Sequence, residues 1–392
     1  MDPVANPYRP GAGRRPPVLA GREPILSAFD IVRRKAEEYG EGDRGWILNG
    51  LRGVGKTVLL NELLAQVSGT WITAKVEATA GTPLSTSLSQ SLVKAMRTAT
   101  GRHPEPRLRT LLGVFKAFSV KFNPATGTFG LGADVDLIHG IADSGRFADD
   151  LAALFEILGE TSRDLGIGTL ILVDELQEAT GEELTAVNNA VHQIGQGDPP
   201  HPVTFVGAGL PSLPAQLAEA TSYAERLYQY RPIGLLDGDA ARAALVGPSL
   251  DHDVRWDDDA LGLALEVAGG YPYFLQAVGK HVWDAARASP ITVEDVSVGG
   301  ESARAEVDEG LYRSRWERAT AAQKALLRAL GETGGENPTA IADLVTALGK
   351  RRVSDLSVAR NELIRKGLVY SPERGLLAFT VPGMSEFINR QP

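Results

Sequence analysis

The sequence predicts an α/β fold with a three-layer parallel sheet at its core, followed by a helical lid and a C-terminal winged helix-turn-helix. Between residues 25 and 236, apolar runs typical of buried parallel strands alternate with amphipathic segments of helical period. Beyond Asp237 the strand signals fade and helical segments dominate. The end of the chain then indicates three helices and two short strands, which is the outline of a winged helix-turn-helix.

These patterns divide the chain into four parts. Residues 1–24 are rich in proline and glycine, so they predict an extended arm that lies against another part of the protein. Residues 25–236 predict the α/β core and residues 237–316 the helical lid. Residues 317–392 predict the winged helix-turn-helix.

Within the core, helical and strand patterns alternate along the chain. Ile25, Phe29, Val32 and Ala36 recur at helical spacing and predict a first amphipathic helix. Strands are then expected at 46–48, 71–76, 169–174 and 203–206, and further helices at 58–67, 85–99 and 147–158. Strands that alternate with helices at this spacing indicate βαβ units in a parallel sheet.

A second alternating pattern lies between two of these helices. Phe118, Val120 and Phe122 are separated by single polar residues, and Phe129 and Leu131 repeat the alternation after an Asn-Pro-containing turn. We therefore expect an inserted β-hairpin near residues 118–134. Such an insertion is either a surface decoration or a finger that binds a partner.

The C-terminal part has its own periodicity. Helices are expected at 323–330, 339–348 and 354–366, and strands at 368–370 and 376–380. The turn between the two strands contains Pro372 and Gly375.

Composition narrows the class of protein. The 392 residues are 43% hydrophobic and 23% charged, which is ordinary for a globular protein with a sizeable core. We expect a cytoplasmic location and no membrane partner, because apolar runs are too short for a span and no signal-peptide core is present. The absence of cysteine excludes disulfides and thiolate sites, and the six histidines lack metal-binding spacing.

One stretch carries a complete phosphate-binding pattern. It follows the first predicted strand, opens the next predicted helix and matches G-x-x-x-x-G-K-[ST]. Its expected nucleotide contacts are Gly50, Leu51, Arg52, Gly53, Val54, Gly55, Lys56, Thr57 and Val58. In this pattern backbone N–H groups cradle phosphate oxygens, the lysine reaches the β- and γ-phosphates, and the Thr57 hydroxyl holds Mg²⁺. The alternative is a glycine-rich turn between a strand and a helix.

An acidic pair supplies the second chemical signal. Asp174 and Glu175 end the continuous apolar run that begins at Thr169. Hydrolysis of a nucleotide needs a metal ligand and a group that orients water, so we expect Asp174 to bind Mg²⁺ and Glu175 to polarise the attacking water. Two acids at a strand end can also mark a solvated turn, but the phosphate loop favours the catalytic interpretation.

Four short segments resemble a known group of proteins. They are GLRGVGKT at 50–57, LVDELQ at 172–177, LAGRE at 19–23 and GGYP at 269–272. Together they resemble AAA+ ATPases, and more narrowly the branch that joins archaeal-type ATPases, signalling STAND ATPases and origin-recognition initiators. The resemblance implies a P-loop NTPase core of the ASCE/AAA+ type that binds ATP or ADP with Mg²⁺ and hydrolyses ATP to ADP and phosphate.

The resemblance also implies roles for residues outside the phosphate loop. Val18, Leu19 and Arg22 would line the adenine site, and Arg226 stands where such proteins carry an arginine finger. The alternative for Arg226 is a helix-terminal arginine paired with the helix dipole or a carboxylate. Pro272 lies in the lid motif, at a position where initiators have arginine and signalling ATPases have proline.

The chain departs from the family pattern at one strand end. The predicted strand at 203–206 runs into Gly207-Ala208-Gly209, where many AAA+ proteins place a polar residue that senses the γ-phosphate. Only Thr204 or Ser212 could substitute for it. We therefore expect slow hydrolysis.

Charge is distributed unevenly. The net charge of −9 excludes a chain that coats nucleic acid with its whole surface, but residues 320–392 contain ten Lys and Arg against seven Asp and Glu. Six of these cations surround the third predicted helix of the winged helix: Lys350, Arg351, Arg352, Arg360, Arg365 and Lys366. They either neutralise DNA phosphates or form the solvated face of a domain that packs on the ATPase and regulates it.

Two functions fit these patterns. The first is a nucleotide-dependent switch that binds double-stranded DNA through its winged helix. The second is a STAND-like signalling or scaffold ATPase whose winged helix is regulatory and whose partner is a protein. Either can form a nucleotide-dependent homo-oligomer, and overall resemblance also allows an accessory ATPase of a mobile element.

Overall fold

A computed structural model of the chain describes residues 1–102, 105–122 and 136–391. Within these ranges, no helix is both long enough and apolar enough to cross a membrane. The elements below are numbered in chain order.

The centre of the described structure is a parallel sheet in the order β2-β3-β4-β1-β5. Its strands are β1 (Gly45–Asn49), β2 (Ile72–Glu77), β3 (Thr169–Asp174), β4 (Val203–Gly209) and β5 (Tyr228–Pro232). Every residue of β3 and β4 is buried, as expected for parallel strands covered on both faces. In register, Asn49 lies between Gly209 and Pro232, so the carboxyl ends of the strands share one edge.

Helices cover both faces of this sheet. They are α1 (Glu23–Tyr39), α2 (Lys56–Val67), α3 (Leu84–Arg102), α4 (Pro106–Phe122), α5 (Phe147–Leu165), α6 (Gly181–Gly195), α7 (Leu213–Ala220) and α8 (Ala224–Leu227). Buried side chains of α1 and α2 pack with Trp46 and Leu48 on one face. Those of α3 to α6 pack with Ile47 and Ile171 on the other. The three-layer α/β core predicted from the sequence is therefore present.

The predicted hairpin is wrong where the structure describes it. Phe118 and Phe122 belong to α4, and their rings lie 4.8 Å apart on one side of that helix. Leu111 and Phe115 continue the same buried stripe at helical spacing, and this tertiary packing overrides the short alternation that suggested a strand. Residues 123–134 of the predicted hairpin lie outside the described residues.

A helical region follows the sheet. Its helices are α9 (Gly238–Leu250), α10 (Asp258–Ala268), α11 (Pro272–Ala285) and α12 (Val293–Val307), followed by a π-helical turn (Asp308–Arg313) and α13 (Ser314–Glu317). Asp237 caps α9 by accepting a hydrogen bond from the Ala240 N–H at 2.8 Å. Pro272 occupies the first turn of α11, where its missing N–H costs nothing.

The C-terminal region combines helices with a small antiparallel sheet in the order β6-β8-β7. Its elements are α14 (Ala321–Gly334), β6 (Thr339–Ala340), α15 (Ile341–Ala347), α16 (Ser357–Arg365), β7 (Val369–Tyr370), β8 (Leu376–Phe379) and α17 (Met384–Asn389). The three predicted helices and both predicted strands are present. The second helix starts later than expected because Thr339 is extended and pairs with Leu377 of β8.

One continuous core joins the last two regions. Buried residues of α9 to α12 and of α14 to α17 belong to the same hydrophobic cluster, for example Leu275, Leu326 and Phe387. Tyr8 and Ala20 of the N-terminal arm are part of it, so the arm does lie against another part of the protein. The division at residue 316 remains a prediction, since the core continues across it.

Candidate functional site

The loop between β1 and α2 is shaped by close approaches of backbone. Gly53 and Gly55 have φ of +80° and +96°, a region that side chains disfavour. A Cβ on Gly50 would clash with the Ile233 carbonyl oxygen, and one on Gly53 would clash with the Tyr271 hydroxyl. The sequence therefore folds into a tight loop that ends at the N-terminus of α2, an arrangement suited to anions.

Lys56 is buried inside this loop. Its Nζ donates hydrogen bonds to the carbonyl oxygens of Gly50 and Leu51, each at 2.8 Å. Burial lowers the pKa of Lys56 to about 8, although the nearby carboxylates of Glu175 and Asp174 oppose this shift. A phosphate beside Nζ would favour the charged amine and offer it stronger acceptors than the two carbonyls.

Thr57 and Asp174, the two predicted Mg²⁺ ligands, lie next to each other. The Thr57 hydroxyl donates to Asp174 Oδ2 at 2.6 Å, and Asp174, which is 3% exposed, ends β3. Hard oxygen donors of this kind suit Mg²⁺. The described residues contain no cluster of three or more His, Cys, Asp or Glu that could hold a metal, so further ligands would be phosphate and water oxygens.

Glu175 is held in an unusual backbone conformation next to this pair. Its φ of +50° and ψ of 36° place a residue with a side chain in the left-handed region, which costs conformational energy and is frequent at functional sites. Its Oε2 accepts a hydrogen bond from Gln177 Nε2 at 2.6 Å. The Arg52 guanidinium lies 3.4 Å from the same oxygen. The carboxylate is thus oriented by two side chains.

Gln177 occupies the strand end that lacks a polar sensor. Its Oε1 accepts the Leu210 N–H at 3.0 Å while its Nε2 binds Glu175, so it links the end of β4 to the acidic pair. A Cβ on Gly209 would lie 2.6 Å from Oε1, so glycine makes room for the amide. The sequence does not predict this role, because its only signals, Gln177 and Gly209, lie far apart along the chain and meet only in the fold.

A cavity of about 440 Å³ surrounds the loop and brings most predicted site residues together. Val18, Leu19 and Arg22 contribute from the arm and Pro272 from α11. Sequence analysis did not identify Tyr271, Gln276 and Arg315, which also line it. Tyr271 lies within the Gly-Gly-Tyr-Pro segment at 269–272, whereas Gln276 and Arg315 come from segments without a recognisable motif.

Arg22 makes structural contacts in addition to lining the cavity. It is 9% exposed, and its Nη2 donates to the carbonyl oxygens of Val54 at 3.1 Å and Gly234 at 2.7 Å. Burial lowers its pKa, with Glu23 and Asp237 opposing. Arg22 therefore ties the arm to the phosphate loop as well as lining the cavity.

Arg226 lies away from this site. It lines a second cavity with His192, His201 and Tyr223, just before β5 begins at Tyr228. Tyr228 pairs with Gly45 at the start of β1, whereas the phosphate loop follows the end of β1. The length of a five-residue strand, about 15 Å, separates the two edges. Arg226 could therefore reach phosphates only in a second copy of the chain.

The C-terminal region contacts the phosphate loop directly. The Arg52 N–H donates to the Thr380 carbonyl oxygen at 3.0 Å, and the fully buried Thr380 hydroxyl donates to the Gly367 carbonyl oxygen at 2.7 Å. From the helical region, the Tyr271 hydroxyl donates to the Arg52 carbonyl oxygen. Both backbone groups of Arg52 are therefore held by distant parts of the chain.

Comparison with known proteins agrees with this geometry. Residues 18–206 match the AAA ATPase domain, a range that includes part of the arm, the phosphate loop and the acidic pair. Residues 309–388 match a domain of unknown function. No curated protein matches the sequence.

Two solved structures are similar over nearly the whole chain. The Walker-type ATPase PABY2304 of Pyrococcus abyssi has a TM-score of 0.61 at 16% identity, covering 97% of this chain and 98% of that one. The ADP form of the Aeropyrum pernix ORC2 protein has a TM-score of 0.55 at 16% identity, covering 97% and 95%. The domain match and this shared fold support an AAA+ P-loop ATPase.

We predict that Lys56→Ala abolishes nucleotide binding, because it removes the buried cation of the loop. Glu175→Gln should retain ATP binding but lower turnover by about 100-fold or more, as loss of a general base does. Titration calorimetry and phosphate release measure the two effects. Unchanged hydrolysis in both variants would refute the site assignment.

We also predict a kinetic effect of Gln177→Leu. Without its amide, Glu175 loses a 2.6 Å hydrogen bond and is misplaced, so turnover should fall about 10- to 100-fold. ATP affinity should change less than about threefold. The control is Gln193→Leu on the exposed side of α6. Equal turnover in both variants would contradict a positioning role for Gln177.

Proposed function

We propose that this protein is an ATP-dependent switch in which the nucleotide in the phosphate loop controls the C-terminal region. The hydrogen bond from the Arg52 N–H to the Thr380 carbonyl oxygen carries this proposal, because it connects the loop to that region without an intermediate residue. A change in the loop backbone therefore acts directly on the segment that follows β8.

The chemistry proposed for the site is slow hydrolysis of ATP to ADP and phosphate. Lys56 and the loop N–H groups bind the phosphates, Thr57 and Asp174 hold Mg²⁺, and Glu175 polarises the attacking water. Bound Mg²⁺ supplies neutralisation of the charge that develops on the phosphate oxygens. Adenine is expected beside Val18, Leu19 and Pro272.

Two features support slow rather than fast turnover. Residues 207–209 bear no polar side chain that could contact the γ-phosphate. In the described structure, Gln177 is instead the polar side chain that contacts this strand end, through the Leu210 N–H. In addition, Glu175 is within 3.4 Å of the Arg52 guanidinium. Water activation therefore depends on how firmly Arg52 and Gln177 hold this carboxylate in place.

The C-terminal region is proposed to be a winged helix-turn-helix. Its order of helix, strand, two helices and two strands, with a three-stranded sheet, supports this assignment. In that arrangement α16 would be the recognition helix and the β7–β8 turn the wing. Its proposed limits remain residues 317–392.

Double-stranded DNA is one candidate partner of this region. Lys350, Arg351 and Arg352 are exposed just before α16, and Val358 on α16 is 78% exposed. Such a cluster of cations beside an open helix suits the sugar-phosphate backbone of a duplex.

A protein partner is the second candidate. Three of the six cations predicted to bind DNA already have partners: Arg365 pairs with Glu362 at 2.5 Å, Arg360 donates to Asn361 Oδ1, and Lys366 Nζ donates to the Arg318 carbonyl oxygen and Gln323 Oε1. This reduces the positive charge available to DNA and supports a regulatory winged helix. A homo-oligomer in which Arg226 reaches a neighbouring nucleotide fits either partner.

We predict that ATP and ADP protect the segment 367–380 differently from hydrogen exchange. The nucleotide changes the partners of Lys56, the loop shifts, and the Arg52–Thr380 hydrogen bond transmits this shift. Lys56→Ala serves as the control and should show no nucleotide effect. Identical protection of the wild-type segment in both nucleotide states would overturn the switch.

A second prediction separates DNA from a protein partner. Arg351→Glu/Arg352→Glu should weaken duplex binding at least about tenfold and reduce the salt dependence by roughly two counterions. Arg242→Glu/Arg287→Glu, which changes the same charge in the helical region, should leave binding nearly unaltered. Fluorescence anisotropy at several salt concentrations measures both. No binding by the wild type at low salt would exclude DNA and leave the protein partner.

A further inference from the structure

Arg315 lies where the helical and C-terminal regions meet. It belongs to α13, directly after the π-helical turn at 308–313. Its side chain lines the same cavity as Gly53, Lys56 and Glu175. No sequence motif marks this position, so its place in the site depends on the tertiary fold.

The guanidinium of Arg315 is partly buried and lacks an acidic partner. Its one hydrogen bond within the described residues is donated to the Leu311 carbonyl oxygen, and no described carboxylate lies within 4.0 Å of it. Burial lowers the pKa of Arg315, and the nearby cations Arg52 and Arg318 lower it further. A cation in such surroundings is costly unless an anion compensates it.

The other arginines that line the cavity differ from Arg315. Arg22 is bound to two carbonyl oxygens, and Arg52 lies beside the carboxylates of Glu175 and Glu178. Arg9 and Arg14 are exposed, where water solvates their charge. Among these arginines, Arg315 is therefore the partly buried one that lacks both a carboxylate and full solvation, so a bound anion would stabilise it most.

We propose that Arg315 binds the terminal phosphate of ATP. The proposal rests on the proposed function, since it takes the cavity to be the ATP site. Arg315 lines the cavity together with Arg52, and Arg52 contacts Glu175, the residue expected beside the terminal phosphate. Guanidinium groups form paired hydrogen bonds with phosphate oxygens, which matches this ligand.

With this assignment, Arg315, at the junction of the helical and C-terminal regions, contacts ATP but not ADP. Gly310 and Leu311 of the π-helical turn line the cavity together with Arg315. A terminal phosphate would therefore fix the turn, and its loss on hydrolysis would release it. The nucleotide state would be read at this turn as well as at Arg52.

The test compares binding of a non-hydrolysable ATP analogue and of ADP to wild type and Arg315→Ala. Loss of a charged hydrogen-bond pair should weaken the analogue about 10- to 100-fold and ADP less than about threefold. Arg315→Lys should recover part of the affinity. Arg313→Ala, which removes an arginine from the surface ion pair with Glu309, is the matched control and should change neither.

Thermal unfolding without nucleotide distinguishes a binding role from a structural one. Arg315→Ala should unfold at the same or a higher temperature than wild type, because it removes a partly buried cation, while the rise caused by the analogue shrinks. A lower unfolding temperature with equal weakening of both nucleotides would overturn the inference.

The two proposals fail in different ways. If wild type binds both nucleotides and Arg315→Ala keeps the wild-type preference, the inference alone is wrong. If wild type binds neither nucleotide, the proposed ATP site is wrong and the inference falls with it.

Discussion

The backbone of Arg52 is the point on which the rest of the structure depends. Its N–H is bound by Thr380 and its carbonyl oxygen by Tyr271, so a tight loop between strand and helix is also where three regions meet. Glycine at positions 50 and 53 is what allows Ile233 and Tyr271 to come this close. The shape of the loop and the docking of the helical and C-terminal regions onto it therefore depend on the same two glycines. A bulkier residue at either position would disturb both.

Charge balance in the cavity follows from this crowding. Lys56 and Arg22 donate their hydrogen bonds to carbonyl oxygens of the loop and its neighbour rather than to carboxylates. Asp174 is committed to the Thr57 hydroxyl and Glu175 to Gln177. The site therefore suits a multiply charged anion such as a polyphosphate. Its oxygens would neutralise several cations at once and also coordinate the metal ion.

The sequence predicted those features that depend on neighbours along the chain. The sheet, its helices, the phosphate loop and the acidic pair each carry a local pattern. Prediction failed at Phe118 and Phe122, where packing against α5 overrides a short alternation, and at Thr339, where pairing with Leu377 delays a helix. Gln177, Thr380 and Arg315 could not be assigned because their roles depend on contacts with residues 33 to more than 250 positions away. For Arg226, the resemblance implies a role from its position in the chain, but only the strand register shows which edge of the sheet it occupies.

The continuous core of the helical and C-terminal regions affects how they are connected to the sheet. Since the helical and C-terminal regions share one packed interior, they form a single packed unit rather than two independent modules. The chain passes between this packed unit and the sheet near Arg22 and again near Gly234. The Arg22 guanidinium donates a hydrogen bond to the Gly234 carbonyl oxygen at 2.7 Å. Arg22 also donates to the Val54 carbonyl oxygen, so both crossings are joined to the phosphate loop beside the cavity.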